Sequence, residues 1–428
     1  MFKSIKKIRE KVIPLYKAES VSFFFASLCL IVLPVYVWYV PPIMLLWGLS
    51  RFLEIKGTDE KFIIPLQEAK VLFFLFFLFY VWQIAGTFYS ENQKTGWNLV
   101  FSRLSLFLFP LILIFPGKLL MNRVNFLLKM FCFATTGYLI LCFLYALFRS
   151  LSFNEATLLF NPHPPSEPYY SYFYASYFSI YQHPSYLAYY IVIAFVIALE
   201  YGFDTALRIG KRIIWTLICF FLLITLYFLS SRFGLLAVII VATVYLYKKF
   251  RKRLSGYLLF ALIIVLILFS FVVLKSNTRV QKIINEITVG SEKLNAASDN
   301  RLIIWKSALK ITERNLLLGV GIGDVRSELM KEYKQIGNQE IIKKNYNVHN
   351  QFLEVLLENG LIGLVIFLVI LGYMLFIAMR YNNVLYFLFL ITSIIFFLFE
   401  TVLYRFPGMS FFALFSFLMI YIPKKHQY

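Results

Sequence analysis

A chain of 428 residues that is 60% hydrophobic and 15% charged, with 48 Phe, excludes an ordinary soluble domain, in which about 25% of residues carry charge. Its four cysteines (Cys29, Cys132, Cys142 and Cys219) all fall in apolar runs without metal-ligand spacing, which excludes a disulfide framework and leaves them as small core residues. The formal net charge of +20 is spread over many short loops with no nucleic-acid motif beside it, so it does not point to nucleic acid.

Roughly 20 apolar residues cross a bilayer. By that measure the chain holds about twelve spans, at 20–37, 38–53, 69–88, 99–116, 124–148, 184–200, 212–229, 233–248, 255–274, 361–379, 383–402 and 407–423. The basic residues Lys3, Lys6, Lys7, Arg9, Lys11 and Lys17 precede the first run, as in a signal peptide. The run continues to Pro41 and Pro42 without a small-residue cleavage site, which predicts a retained first helix. Those prolines and the shortness of the second span predict a tight hairpin between the first two.

Orientation follows from Lys and Arg in the short loops. An N-terminus in the cytoplasm puts the cluster Lys248, Lys249, Arg251, Lys252 and Arg253 inside, together with Arg208, Lys211 and Arg212. It puts loop 150–183, which has no Lys or Arg, outside. Both termini are then cytoplasmic. The basic excess is a topology signal, with attraction to anionic lipid beside it.

The outward loops come next. The first, near Val40, has no carboxylate, and no short outward loop carries a paired-acid motif. Magnesium and manganese require oxygen ligands, so metal-independent chemistry is favoured. Loop 150–183 is dense in aromatics between Tyr169 and Tyr181, which suits an interfacial belt or a sugar-stacking platform. His183 and Pro184 open the following span, where the histidine serves either to start the helix or in chemistry. Ser230, Ser231, Arg232 and Gly234 join two spans with almost no loop between them. An arginine there is costly unless it pairs or faces water. It either snorkels to headgroups or, with the serine hydroxyls, binds an anionic group such as phosphate.

Segment 275–350 is long and helix-patterned. Ser298, Asp299 or Asn300 can cap a helix from Arg301, with Leu302, Trp305, Leu309 and Ile311 near one face, lying on the membrane surface. A second amphipathic helix is expected from Asp324, and the run from Gly319 to Gly323 fits a tight connection between the two. The glycine run is no nucleotide loop, because no strand precedes it.

One of only four histidines, His349, stands where this polar segment ends. Asn350 can cap a short helix over 351–358, with Glu354 and Glu358 on one face, and Asn359 and Gly360 fit its end before the next span. An imidazole at an outer water–lipid boundary suits proton transfer on a lipid-bound substrate, or a hydrogen bond within the loop. Glu400 and Arg405 bracket the end of span eleven, where an acid so deep in an apolar run predicts an ion pair with Arg405 or another outward arginine.

Four of these stretches together resemble the O-antigen ligase and O-antigen polymerase superfamily. They are the SSRFG turn with Arg232, the segment RLIIWKSALKITERNLLLGVGIGD, the element VHNQFLEVLLENGLIGL with His349, and the late FETVLYRFPG. Their order and side of the membrane carry the resemblance over essentially the whole chain, most densely over 225–425. It implies an all-α integral membrane protein of about twelve spans, with one long helical periplasmic loop between spans nine and ten. The units are then 1–274 (spans one to nine), 275–360 (the loop carrying the histidine) and 361–428 (spans ten to twelve and the tail).

The implied activity is glycan transfer from undecaprenyl pyrophosphate to an acceptor sugar hydroxyl at the periplasmic face of the bacterial inner membrane, without metal, nucleotide or other cofactor. The acceptor is the lipid A core in ligases and another lipid-linked repeat in polymerases. His349 matches the family's catalytic histidine, and Arg232 and Arg301 match its outward arginines, which would hold the pyrophosphate. Asn350, Glu400, Arg405 and His183 are expected to support them. A transporter of lipid-linked sugars is the competing class. It would line a path through many spans with charge, whereas here the polar clusters gather at the outer face.

Overall fold

The computed structural model describes residues 18–57, 66–154, 157–164, 171–250 and 298–422. The N-terminal basic cluster, the expected ninth span at 255–274 and the start of the long loop at 275–297 lie outside these residues. The described chain is predominantly α-helical. Among the described residues, seven helices are long and apolar enough to cross a membrane, and three shorter apolar helices accompany them.

In chain order the first half forms α1 (Ala18–Val35), α2 (Val40–Gly57), α3 (Gln67–Phe88), α4 (Gln93–Ser102), α5 (Ser105–Leu113), α6 (Lys118–Asn122) and α7 (Val124–Ser150). α1 and α2 pack on each other across a single 3-10 turn, Val37–Tyr39, which is the hairpin expected at Pro41 and Pro42. The expected span at 99–116 divides at Arg103 into α4 and α5. Loop 150–183 departs from an all-helical plan: Leu151–Asn154 (β1) pairs antiparallel with Thr157–Phe160 (β2), Leu151 opposite Phe160. Leu, Thr and Phe on a short two-stranded ribbon fit strand geometry better than a helix of so few residues.

After the short α8 (Ala175–Phe178) come α9 (Pro184–Gly202), α10 (Ile209–Phe228) and α11 (Arg232–Phe250). The last part holds α12 (Ser298–Arg314), α13 (Val325–Ile336), α14 (Gln339–Lys344), α15 (Gln351–Arg380), α16 (Val384–Phe399) and α17 (Phe406–Leu418). α9 is buried on every side from Tyr186 to Ala198 and packs on α7, α10, α11 and α16. α17 is likewise buried from Gly408 to Leu418. Helices apolar all round belong in the middle of a bundle. By contrast α10 exposes Ile213, Ile214, Leu217, Phe220 and Ile224 along one face, as a lipid-facing outer helix does.

The segment from α12 to the start of α15 has its own small core. Ile304, Ala308 and Ile311 of α12 meet Val325, Leu329 and Tyr333 of α13, with Ile341, Val348 and Leu357 closing it. The buried stripe therefore runs through Ile304, Ala308 and Ile311, at helical spacing, and not through Leu302 and Leu309 as expected. Those two leucines are 55% and 45% exposed. α13 covers the side of α12 opposite them, which leaves them outward with Leu316, Leu317 and Leu318.

α15 is interrupted at Gly360, whose φ of 63° and ψ of −166° fall where only glycine is at ease. The break frees carbonyls, and all of those named here are re-paired. Val320 N donates to the Leu357 carbonyl (2.9 Å), Gly321 N to that of Glu358 (3.1 Å) and Trp82 Nε1 to that of Asn359 (3.0 Å). Across the break Leu361 N donates to the Leu316 carbonyl at 2.8 Å. The glycine run after α12 is thus a docking strip against a broken helix. Side chains at Gly321 or Gly323 would strike Ser90 and the Asn92 backbone. Asp324 closes the same corner, its carboxylate accepting from Glu91 N (2.6 Å) and Asn92 N (2.9 Å).

A buried ion pair fixes this junction to the first half of the chain. Arg103 meets Glu358 in a two-pronged contact of 2.8 and 2.6 Å, with Gln83 Oε1 3.3 Å away. Both charged side chains are almost fully enclosed. A guanidinium matches a carboxylate in this geometry, and only such pairing makes a charge tolerable in an apolar interior.

Candidate functional site

The site is built on the loop 345–350 between α14 and α15. Asn345 and His349 both lie in the left-handed backbone region, with φ of 46° and 50°. Asparagine tolerates that region; histidine there is uncommon, and such conformations cost on the order of 1–3 kcal/mol. The surroundings hold it in place. Trp305 Nε1 donates to the Val348 carbonyl at 2.9 Å, and the Val348 side chain is sealed in the small core. Asn347 Nδ2 donates to Thr401 Oγ1 (2.6 Å), Asn350 Nδ2 to the Leu398 carbonyl (3.1 Å), and Gln351 Oε1 accepts from Leu403 N (2.6 Å). Asn350 Oδ1 also caps α15, accepting from Phe352 N at 2.9 Å and Leu353 N at 3.0 Å. Asn347, Asn350 and Gln351 are thus stitched to the chain at and just after the end of α16.

That stitching brings His349 Nδ1 to 3.2 Å from Glu400 Oε2. The other carboxylate oxygen accepts from Ser185 Oγ at 3.2 Å. The expected partner of Glu400 was Arg405 or another outward arginine. Its contacts are instead His349 and Ser185, because the 3-10 turn Val402–Tyr404 carries Arg405 past it. Burial pushes the Glu400 carboxyl up, but the hydrogen bond from His349 and the positive fields of Arg301 and of His349 and His183 when protonated outweigh it and hold the carboxyl below its ordinary value. An ionised Glu400 is an acceptor only, so His349 Nδ1 donates this hydrogen bond, and in the neutral imidazole the lone pair is then on Nε2.

Arg301 approaches from α12. Its guanidinium lies 4.9 Å from the Phe233 ring centre, and Phe233 stacks on Phe399 at 4.2 Å with the planes 7° apart. Burial lowers the Arg301 proton affinity and the Glu400 charge raises it, with burial the larger; a guanidinium stays charged throughout. Arg232 is the residue before Phe233, at the start of α11. The turn before it carries Ser230 in the left-handed region at φ 51° and Ser231 Oγ accepting from Gly234 N at 3.2 Å. His183 caps α9, its Nδ1 accepting from Ser185 N at 3.3 Å, so its helix-start role and its place beside Glu400 coincide.

A pocket of about 200 Å³ opens against this pair, walled by His349, Glu400, Tyr186, Tyr346, Arg326 and Arg405 among others. His183, Ser185 and Lys344 also line it. His349, Glu400, His183 and Arg405 thus line one pocket, Arg301 does not line it but acts on Glu400 through its field, and Arg232 stands one residue from the ring under Arg301. Arg326 and Lys344 were not foreseen: on a helix with many charges neither stands out. Nor was Arg103, although an arginine inside LVFSRLSLF is itself a signal.

Residues 217–368 fit the family model described as O-antigen ligase, which supports the O-antigen ligase superfamily for this chain. The matched stretch runs from α10 to the middle of α15. It includes Arg232, Arg301 and His349 and leaves His183, Glu400 and Arg405 outside. No curated protein matches the chain.

Proposed function

We propose that this protein, with an O-antigen ligase match over 217–368, is a membrane glycosyltransferase that moves a glycan from undecaprenyl pyrophosphate to an acceptor sugar hydroxyl, the lipid A core. The observation that carries this reading is the His349–Glu400 pair at the pocket wall. Glu400 fixes the ring so that Nε2 takes the proton of the acceptor hydroxyl. The acceptor oxygen attacks the anomeric carbon, and the bond from that carbon to the pyrophosphate oxygen breaks with its electron pair. Attack in line inverts the anomeric centre. The leaving undecaprenyl pyrophosphate needs charge stabilisation more than a proton, and Arg232 and Arg301 supply it without a metal ion. A positioned general base contributes about 10²–10⁴-fold.

The same reading assigns about twelve spans, both termini in the cytoplasm, units 1–274, 275–360 and 361–428, and a site facing the periplasm. A polymerase of the same superfamily uses the same chemistry on a lipid-linked acceptor. Deletion of the gene followed by gel analysis of lipopolysaccharide separates the two. Loss of a ligase strands full-length polymer on undecaprenyl pyrophosphate, loss of a polymerase leaves core capped with one repeat, and an unchanged profile sinks both. His349→Ala and Arg232→Ala should each reduce transfer by at least about 10²-fold while the protein still inserts. Retained transfer removes that residue from the mechanism.

A further inference from the structure

The pocket beside His349 is richer in cations than transfer to a neutral hydroxyl requires. Arg326, Lys344 and Arg405 line it, and Glu400 is the single carboxylate among its lining residues. That carboxylate is bonded to His349 and Ser185 and is not available to the arginines. Arg326 is held in place rather than neutralised: Nη1 donates to the Asn345 carbonyl at 3.0 Å, Nε approaches Tyr404 Oη at 3.4 Å, and the guanidinium lies 5.2 Å from the Tyr404 ring centre. Glu354, whose field also reaches Arg326, is buried on α15 and lines no part of the pocket. Arg405 is exposed on the same wall, on the residue after the turn that carries Tyr404. Lys344 completes the set but already pairs with Glu340 at 2.7 Å.

These cations are distinct from the pair given to the donor. Arg301 sits over Phe233 and acts on Glu400 from α12, whereas Arg326 and Arg405 come from α13 and the start of α17. Arg326 and Arg405 line the pocket whereas Arg301 and Arg232 do not, so the two sets serve two anions. Guanidinium groups favour phosphate and carboxylate by their fork geometry. The Tyr186 and Tyr346 side chains on the same wall offer aromatic surface for a sugar ring, and Asn345 and Asn347 offer amides.

We propose that the acceptor is an anionic sugar, bearing a phosphate or carboxylate that Arg326 and Arg405 hold while a hydroxyl of the same sugar or its neighbour lies at His349. The proposal rests on the reading of this pocket as the acceptor site. It separates from that reading because it predicts binding, which needs no turnover.

The test uses the full-length protein in zwitterionic lipid nanodiscs, titrated with glucose 6-phosphate, glucuronate, glucose and inorganic phosphate. One or both anionic sugars should bind at least about tenfold more tightly than glucose and than inorganic phosphate; which of the two is preferred assigns the anion. Arg405→Gln, at an exposed position, should abolish that preference and leave glucose binding unchanged. Arg326→Gln should do the same, with thermal unfolding confirming that it is folded. Equal affinity for all three sugars overturns the proposal. So does a preference that survives Arg405→Gln but is lost in Arg301→Gln, and so does inorganic phosphate binding as tightly as the sugar phosphate, which marks a bare anion site. A null result in the transfer assay of His349→Ala concerns the catalytic reading and leaves these binding outcomes intact.

Discussion

At the scale of the residue, His349 Nδ1 lies 3.2 Å from Glu400, 51 positions away, and in the proposed reaction that contact orients the ring. Glu400→Gln keeps the shape but makes the partner amide able to donate, which favours the other imidazole tautomer. Transfer should fall by about 10²–10⁴-fold with the acceptor KM little changed, read from initial rates on purified donor. The sign of the pH effect on stability follows from the depressed Glu400 value. A carboxyl whose folded value is lowered contributes stability above its unfolded value and loses it as pH falls through the folded one. The stability difference between wild type and Glu400→Gln should therefore hold from neutral pH to about the ordinary glutamate value of 4.5 and shrink below it. The sequence singles out His349 as a rare histidine where a polar segment meets a span, and Arg232 as an arginine in a turn between two apolar runs. The pairing of His349 with Glu400 is not legible there. From the sequence Glu400 has a cation five residues along, and only the direction in which α16 ends decides between that cation and a histidine from another element.

At the scale of the element, the stretch from Asn345 to Gly363 carries most of its plan locally: a cap at Asn350, a break at Gly360 and a span after it. What the local pattern omits is where the freed carbonyls go. The answer lies in the glycine run 40 residues upstream in the chain, which by composition reads as a connection only. Gly360→Ala should destabilise the protein by about 2 kcal/mol or more, since it adds a left-handed backbone penalty to a collision with the Leu317 backbone. Thermal unfolding in detergent checks it, with Gly372→Ala, where an added Cβ meets nothing within 4 Å, as the control. A smaller effect at Gly360 than at Gly372 would contradict the docking of the break. The buried face of α12 differs from the expected one for a related reason. Trp305 and Ile311 do face inward or half inward, but Leu302 and Leu309 belong to the neighbouring stripe, and helical periodicity alone does not say which of two apolar stripes α13 will cover.

At the scale of the whole molecule, the Arg103–Glu358 contact ties α4 and α5 to the helix that follows the loop of His349. Arg103→Met leaves Glu358 buried without its charge partner, and should cost about 3–5 kcal/mol and lower the amount of folded protein. Adding Glu358→Leu removes the orphaned charge and should recover most of that loss, measured as thermal stability of the single and double variants. No recovery would mean the pair acts through shape and not charge. The apolar helices of the described residues are legible in the sequence because each states its own length and hydropathy. The order in which helices pack is not, because hydropathy alone does not say which helix neighbours which.

The strip from Leu316 to Gly321 gives up its backbone hydrogen-bonding groups to α15 on both sides of Gly360. A segment used in this way has a fixed length. The loop between α12 and α13 sets the register of a seam, so one added residue would offset every rung from its mate, moving Glu358 away from Arg103 and turning the first turn of α15, with His349 before it, out of line with Glu400. Tolerance to insertion should accordingly be lowest in a stretch whose glycines resemble a spacer.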